Sequence, residues 1–246
     1  MAGVLHIVST PIGNPDDITL RALRILKEVA IVAAEDTQST SALFAYHAID
    51  TPLTSYHNLN KEDKTPVLLR RLEDGQSVAL VSDAGTPVIS DPGSLLITQA
   101  LAAGIRVMPV PGPSAILAAL SASGLAGDTF VFQGYLPKST GLRRRLLEQM
   151  RGEHRTLILF EYPNRLRVTL EDIRAVLGNR RIVLAQDLTT SCEEFVRGTA
   201  EEVLRSVASP PHRGDITLVV EGNRHRKRSG ATRRVRSATR QRASGS

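Results

Sequence analysis

Four short segments of this chain gather the residue types that hold and react with small ligands. They are Thr10-Pro11-Ile12-Gly13-Asn14, Glu35-Asp36-Thr37, the stretch from Ser82 to Gly93, and Pro111-Gly112-Pro113-Ser114. Gly and Pro let a backbone approach a ligand closely, because their side chains are absent or fixed. Four groups at strand ends are able to exchange a proton or hold a polar ligand: Glu35, Asp36 and Asp83 within these segments, and His57 in Ser55-Tyr56-His57-Asn58. Each has a plainer alternative, since a carboxylate in such a place also caps a helix. Several familiar chemistries are absent. There is no G-x-G-x-x-G and no G-x-x-x-x-G-K-[ST], hence no dinucleotide fingerprint and no P-loop. There is no H-E-x-x-H and no cysteine cluster, so no metal site is expected.

The elements that carry these segments alternate. Apolar runs at 4–8, 31–34, 78–81 and 107–110 read as strands, and each feeds one of the four segments. Between them, Asp16 or Asp17 is expected to cap a helix with apolar positions Ile18, Ala22, Ile25, Leu26 and Val29. Further helices are predicted over 67–72, 94–103 and 115–120, the last capped by Ser114. Strand–helix–strand order implies parallel strands joined by right-handed crossovers, and ligands of such sheets sit beyond the strands' carboxyl ends. The small-residue stretch 121–128 reads as a boundary. Beyond it come strands at 130–133, 156–160, 182–185 and 216–220, with helices at 143–150, 166–177 and 199–207. The last opens on Thr199-Ala200-Glu201-Glu202, a capping-box pattern. The expected organisation is an N-terminal α/β domain over 1–122, a C-terminal α/β domain over 123–222, and a disordered basic tail over 223–246.

Charge is divided unevenly. The net charge is +6, but nine of the 31 Lys and Arg lie in 223–246 with no acid among them. That leaves 22 basic against 25 acidic residues in the body, a compact near-neutral unit with an electrostatic tether. Cys192 is the only cysteine, which excludes an intrachain disulfide and fits a reducing compartment. No signal peptide pattern and no apolar run of ~18–20 residues is present, so a cytoplasmic protein without a membrane span is expected.

The four segments, taken with Asp17-Ile18-Thr19-Leu20-Arg21-Ala22 and Ser55-Tyr56-His57, follow one another in a specific order. Together they resemble the ribosomal RNA small subunit methyltransferase I family, a branch of the tetrapyrrole methylase superfamily, over about residues 4–222. The most specific string is Ser82-Asp83-Ala84-Gly85-Thr86-Pro87-Val88-Ile89-Ser90-Asp91-Pro92-Gly93. The resemblance implies two α/β domains of the tetrapyrrole methylase type with a cleft between them for S-adenosylmethionine. It also implies a homodimer, and 2′-O-methylation of a cytidine in the decoding region of 16S rRNA within the small ribosomal subunit. By motif position the cofactor contacts are Pro11, Ser82, Asp83, Ala84, Gly85, Thr86, Pro87, Ile89, Ser114 and Ala115. Phe160, Ala185, Ile216 and Thr217 match second-domain contacts.

Such a transfer needs alignment and, because a ribose hydroxyl is a poor nucleophile at neutral pH, a nearby base. Glu35, Asp36, Asp83 and His57 are the candidates. Tyr56, Tyr135 and Tyr162 are candidates for stacking on a splayed base. Arg143-Arg144-Arg145 reads either as a solvated helix face or as a phosphate contact. The second half departs from the family pattern. Glu161-Tyr162-Pro163-Asn164-Arg165 stands for Glu-Ser-Pro-His-Arg, Gln186-Asp187-Leu188-Thr189-Thr190 for Arg-Glu-Leu-Thr-Lys, and Arg213-Gly214-Asp215 for Lys-Gly-Glu. These departures keep two alternatives in view: a relative acting on a small molecule or a protein side chain, and a non-catalytic RNA-binding remnant.

Overall fold

The computed structural model describes residues 2–207 and 214–223; Arg213 and the basic tail from residue 224 on lie outside the described residues. The described chain divides into two compact units.

The first unit comprises the residues up to Ala122 together with Ala185–Glu194. Its elements are β1 (Val4–Val8), α1 (Leu20–Glu28), β2 (Ile31–Ala34), α2 (Thr37–Tyr46), β3 (Leu53–Ser55), α3 (Lys61–Glu73), β4 (Val78–Val81), α4 (Ser94–Ala102), β5 (Arg106–Val110) and α5 (Ala115–Ser123). The five strands form one sheet in the order β3-β2-β4-β1-β5, and every pairing is parallel. β4 is buried at all four positions, which is why it reads as an unbroken apolar run. Pro109, which cannot donate to a ladder, lies in the edge strand β5. Apolar clusters line both faces, one built on Leu26, Val32 and Val81, the other on Leu5, Leu72 and Leu80.

Three local details differ from the expectation. The cap of α1 is Thr19, whose hydroxyl accepts from Ala22 N at 3.1 Å. Asp16 and Asp17 instead lie in a separate 3₁₀ turn capped by Asn14, because Ile18 is extended and breaks the helical path. Helix α3 begins at Lys61 and runs through Pro66, with Glu62 and Asp63 favourably placed in its first turn. Helix α2 had no visible apolar stripe; only Thr40 and Phe44 are buried on it.

The second unit comprises Ser123–Leu184 and the described residues from Phe195 on. Its elements are β6 (Phe130–Tyr135), α6 (Thr140–Gln149), β7 (Thr156–Glu161), α7 (Leu166–Leu177), β8 (Arg181–Gln186), β9 (Glu194–Thr199), α8 (Ala200–Ser206) and β10 (Ile216–Val220), in a sheet ordered β6-β7-β10-β8-β9. β6 runs parallel to β7 and β10 antiparallel to it, so this sheet is mixed. The capping box of α8 is formed: Glu202 N donates to the Thr199 hydroxyl, and Thr199 N donates to Glu202 Oε2 at 2.8 Å. β9 was not anticipated, because its edge position leaves Glu194 and Arg197 in water and erases the apolar pattern.

Arg143 fits neither reading offered for the arginine triplet. It is 2% exposed, and its guanidinium reaches Asp172 Oδ2 at 2.6 Å and donates to the carbonyls of Pro137 and Lys138. Arg144 holds the other oxygen of Asp172, also at 2.6 Å. One carboxylate thus pins α6 to α7, and burial of Arg143 is tolerated because its charge is paired and hydrogen-bonded.

Candidate functional site

The carboxyl ends of β1, β4 and β5 are tied to one another by short polar contacts. Thr10 and Gly85 exchange both backbone hydrogen bonds, at 2.9 and 3.0 Å, which joins the loop after β1 to the loop after β4. The Thr10 hydroxyl donates to Ser82 O at 3.1 Å, and the hydroxyls of Ser9 and Thr86 share a bond of 3.0 Å. Thr86 then donates to Pro113 O at 3.2 Å and so reaches the loop after β5. Threonine and serine are needed here because each supplies both a donor and an acceptor within a narrow turn.

Gly85 has φ +81°, where any side chain is strained, and a Cβ there would lie 3.3 Å from Ile12 and 3.7 Å from Pro113 O. Gly13 is required for a different reason: a Cβ would sit 2.4 Å from Leu188 O. The segment Ala185–Glu194 packs on this loop, and Asn14 N donates to the Thr189 hydroxyl at 2.9 Å. Val88 and Ser90, in the loop after β4, hold φ values of +78° and +70°. A β-branched residue in that region is strained, and such strain gathers where a loop must aim its side chains.

What this loop aims is a group of acids. Glu35, at the end of β2, is half-buried, and burial together with the charges of Asp91 and Asp83 pushes its pKa up to about 7. Asp91 is pushed up to about 6, mainly by burial, with the Ser82 hydroxyl bond opposing and the Asp83 charge adding. Asp83 is raised by burial, although the Asp36 backbone N–H donates to its Oδ1 at 2.8 Å and favours its charge. Like charges held this close cannot all stay ionised cheaply, so the group can keep and release a proton near neutral pH.

The four proton-acceptor candidates therefore separate. Glu35 and Asp83 belong to the acidic group. Asp36 is engaged as the cap of α2, its Oδ1 accepting from Gln38 N at 2.7 Å. His57 lies after β3, where Nε2 meets the Asn60 amide at 3.2 Å and its carbonyl accepts from Lys61 N, so it serves the start of α3. Asp91 was missed as an individual residue, although it stands in the most specific string of the sequence.

Of the motif-matched cofactor residues, Pro11, Ser82, Asp83 and Ala84 line one cavity of about 400 Å³. Gly85, Thr86 and Pro87 continue the same loop, Ile89 is exposed on it, and Ser114 and Ala115 start α5 with Ser114 O accepting from Ala118 N. In the second unit, Phe160 and Thr217 are paired across β7 and β10, while Ala185, Ile216 and Thr217 are buried. Tyr56 cannot stack on a base: it is fully buried, with its hydroxyl on Thr65. Tyr135 and Tyr162 are partly exposed and stack on each other at 4.5 Å, with the Arg165 guanidinium 5.4 Å from the Tyr162 ring. Glu161 accepts from Arg165, Thr169 and Tyr162 N, which fixes the turn carrying that ring.

Residues 4–204 match the Tetrapyrrole (Corrin/Porphyrin) Methylases. Curated relatives match nearly the whole chain. The "Ribosomal RNA small subunit methyltransferase I" of Pseudomonas aeruginosa is 49% identical over 224 residues, covering 90% of this chain and 79% of that protein. The protein of the same name from Thermotoga maritima is 43% identical over 220 residues, covering 89% of this chain and 99% of its own. The chain belongs to the ribosomal RNA small subunit methyltransferase I family, within the tetrapyrrole methylases. Solved structures share the fold at low identity. A Thermus thermophilus uroporphyrin-III C-methyl transferase complexed with S-adenyl homocysteine superposes with TM-score 0.63 at 22% identity, covering 88% of this chain and 97% of that one. A diphthine synthase gives TM-score 0.69 at 16% identity, covering 89% and 90%.

The family departures make their own contacts. Gln186 donates to Asp187 at 3.1 Å, Thr190 donates to Asp187 O, and Thr189 N donates to Glu193. These bonds hold a turn in which Asp187 and Thr189 have φ of +50° and +66°. Among the described residues no group of three or more metal-ligating side chains occurs, and no helix is long and apolar enough to cross a membrane.

Proposed function

We propose that this chain is an S-adenosylmethionine-dependent methyltransferase that methylates the ribose 2′-oxygen of a cytidine in the decoding region of 16S rRNA. The observation that carries the reading is the joining of three strand-end loops beside a group of acids that titrates near neutral pH. Family membership supports methyl transfer to small-subunit rRNA; the acceptor atom and nucleotide are the finer part of the proposal. A second copy of the chain completes the enzyme, as the family resemblance implies.

The residues present fit the cofactor. Gly85 leaves open a space that a Cβ would fill, and Asp83, Asp91 and Glu35 favour a cationic sulfonium nearby. When bound, S-adenosylmethionine supplies an activated methyl group. Pro11, the loop from Ser82 to Ile89, Ser114 and Ala115 hold it, with Phe160, Ala185, Ile216 and Thr217 assigned by motif position. The chain's tasks are then to orient the ribose hydroxyl in line, exclude water and take its proton. Glu35 is the base we assign, because its pKa lies closest to the working pH; burial holds it there, with the charges of Asp91 and Asp83 adding. The test is transfer of labelled methyl from S-adenosylmethionine to unmethylated small subunits, with large subunits as control. Transfer to neither, or equally to both, overturns the assignment.

A further inference from the structure

Helix α2 presents Ser39, Leu43 and Tyr46 to the 400 Å³ cavity, at the three- and four-residue spacing that puts side chains on one helix face. The opposite wall is Thr10 to Gly13 with Ser82, Asp83 and Ala84. The motif-matched cofactor residues extend the other way along the sheet, from β4 across β1 to the loop after the edge strand β5, at Ser114 and Ala115. Those β5-side residues do not line the cavity. The cavity and the cofactor loops therefore share one wall, Pro11 and the segment 82–84, and diverge from it.

Tyr46 stands at the mouth, 60% exposed, yet it is held in place. Its hydroxyl donates to Asp16 at 3.0 Å, and its ring meets the His47 ring edge-on at 4.8 Å. His47 is itself anchored, with Nε2 donating to Pro15 O at 2.9 Å. A fixed, exposed aromatic ring on a cavity lined by Pro11, Ile12, Leu43 and Ala84 as well as by hydroxyl groups suits a planar partner. Among the described residues lining the cavity there is no Lys, Arg or His, and Asp83 contributes an acid. That wall disfavours phosphate and suits an uncharged nucleoside moiety. The volume falls in the usual range for small-molecule sites, about 300–1,000 Å³.

We propose that this cavity receives the unstacked acceptor nucleoside of the rRNA, with Tyr46 stacking on its base and the wall at residues 82–84 facing the ribose. The inference rests on the function proposed above and adds the place where the acceptor binds. Single-stranded RNA bases are commonly held by such aromatic stacking. The phosphates on either side of the nucleoside stay outside the cavity.

The test compares the full-length wild type with Tyr46→Ala, Tyr46→Phe and Ser39→Trp, in methyl transfer to unmethylated small subunits and in calorimetric titration with S-adenosylmethionine. Tyr46→Ala removes the ring, and Ser39→Trp fills the cavity from an exposed helix position. Each raises KM for the small subunit about tenfold or more, equivalent to about 1.4 kcal/mol, with cofactor affinity unchanged. Tyr46→Phe keeps the ring and its edge contact with His47 but loses the Asp16 bond, so its KM lies between those of the wild type and Tyr46→Ala. Unchanged KM in both Tyr46→Ala and Ser39→Trp overturns the proposal. So does a parallel loss of cofactor affinity, which would make the cavity part of the cofactor site. A wild-type chain that transfers no methyl to small subunits defeats the proposed function itself and this inference with it.

Discussion

Replacing Glu35 with Gln separates the cost of this carboxylate from its use. The folded protein holds Glu35 at a pKa of about 7 against an ordinary value of 4.5, chiefly through burial and then through Asp91 and Asp83. A raised carboxylate pKa means that the charged form is disfavoured on folding. The stability associated with this site is therefore fully present below about 4.5, declines as pH rises, and is lost above about 7. Partial exposure screens the interaction, so about 1–2 kcal/mol is the expected effect. Glutamine keeps the shape of the protonated acid without the charge. Thermal melts of wild type and Glu35→Gln should coincide near pH 4.5, diverge with rising pH, and differ above pH 7 by roughly 2–8 °C in favour of the variant. In the same samples methyl transfer by the wild type should rise through about pH 7, and the variant should lose this limb together with most of its activity. A stability gap independent of pH, or a variant less stable than wild type at pH 8, would refute the reasoning about the acidic group.

Other perturbations probe separate parts of the account. Gly85→Val should abolish S-adenosylmethionine binding, because φ +81° strains any side chain and a branched one would occupy the space left open for the cofactor; unchanged affinity by calorimetry in a folded variant would contradict this. Asp172→Asn should cost about 3–5 kcal/mol in denaturant unfolding, since it leaves the buried Arg143 charge without its partner. Ending the chain at Asn223 should weaken rRNA binding and flatten its salt dependence while sparing cofactor binding, because nine cations are removed. Asn223 is retained in that truncation because its backbone N donates to Glu153 O and its side chain to Arg151 O. Light scattering should show a dimer at micromolar concentration; a monomer alone would count against the assembly.

How much could be read from the sequence depended on how each segment meets water. β4 and β10 are buried at every position, so their apolar runs gave them away. α7 could be placed because one apolar face is buried, with Leu166, Leu170, Ile173 and Leu177 at helical spacing. α2 and β9 left no comparable trace: α2 buries only Thr40 and Phe44, and β9 is an edge strand with charged residues in water. Arg143 deceived for the converse reason, since a lone residue type cannot reveal a partner 29 positions away. In the site, the strand-end loops were legible because Gly, Pro and hydroxyl residues are spaced for tight turns. Their cross-ties, such as Thr10 with Gly85, connect residues too far apart in sequence to be paired by inspection. Tyr46 went unnoticed because α2 itself did, and only the helix brings Ser39, Leu43 and Tyr46 to one face.

The most direct test of the central claim is to locate the methyl group. Unmethylated small subunits are treated with the purified chain and S-adenosylmethionine, and the 16S rRNA is digested and mapped by mass spectrometry. The account predicts one added methyl, on the ribose 2′-oxygen of a cytidine in the decoding region. A methyl on a base, on a nucleotide outside that region, or on a ribosomal protein would contradict it.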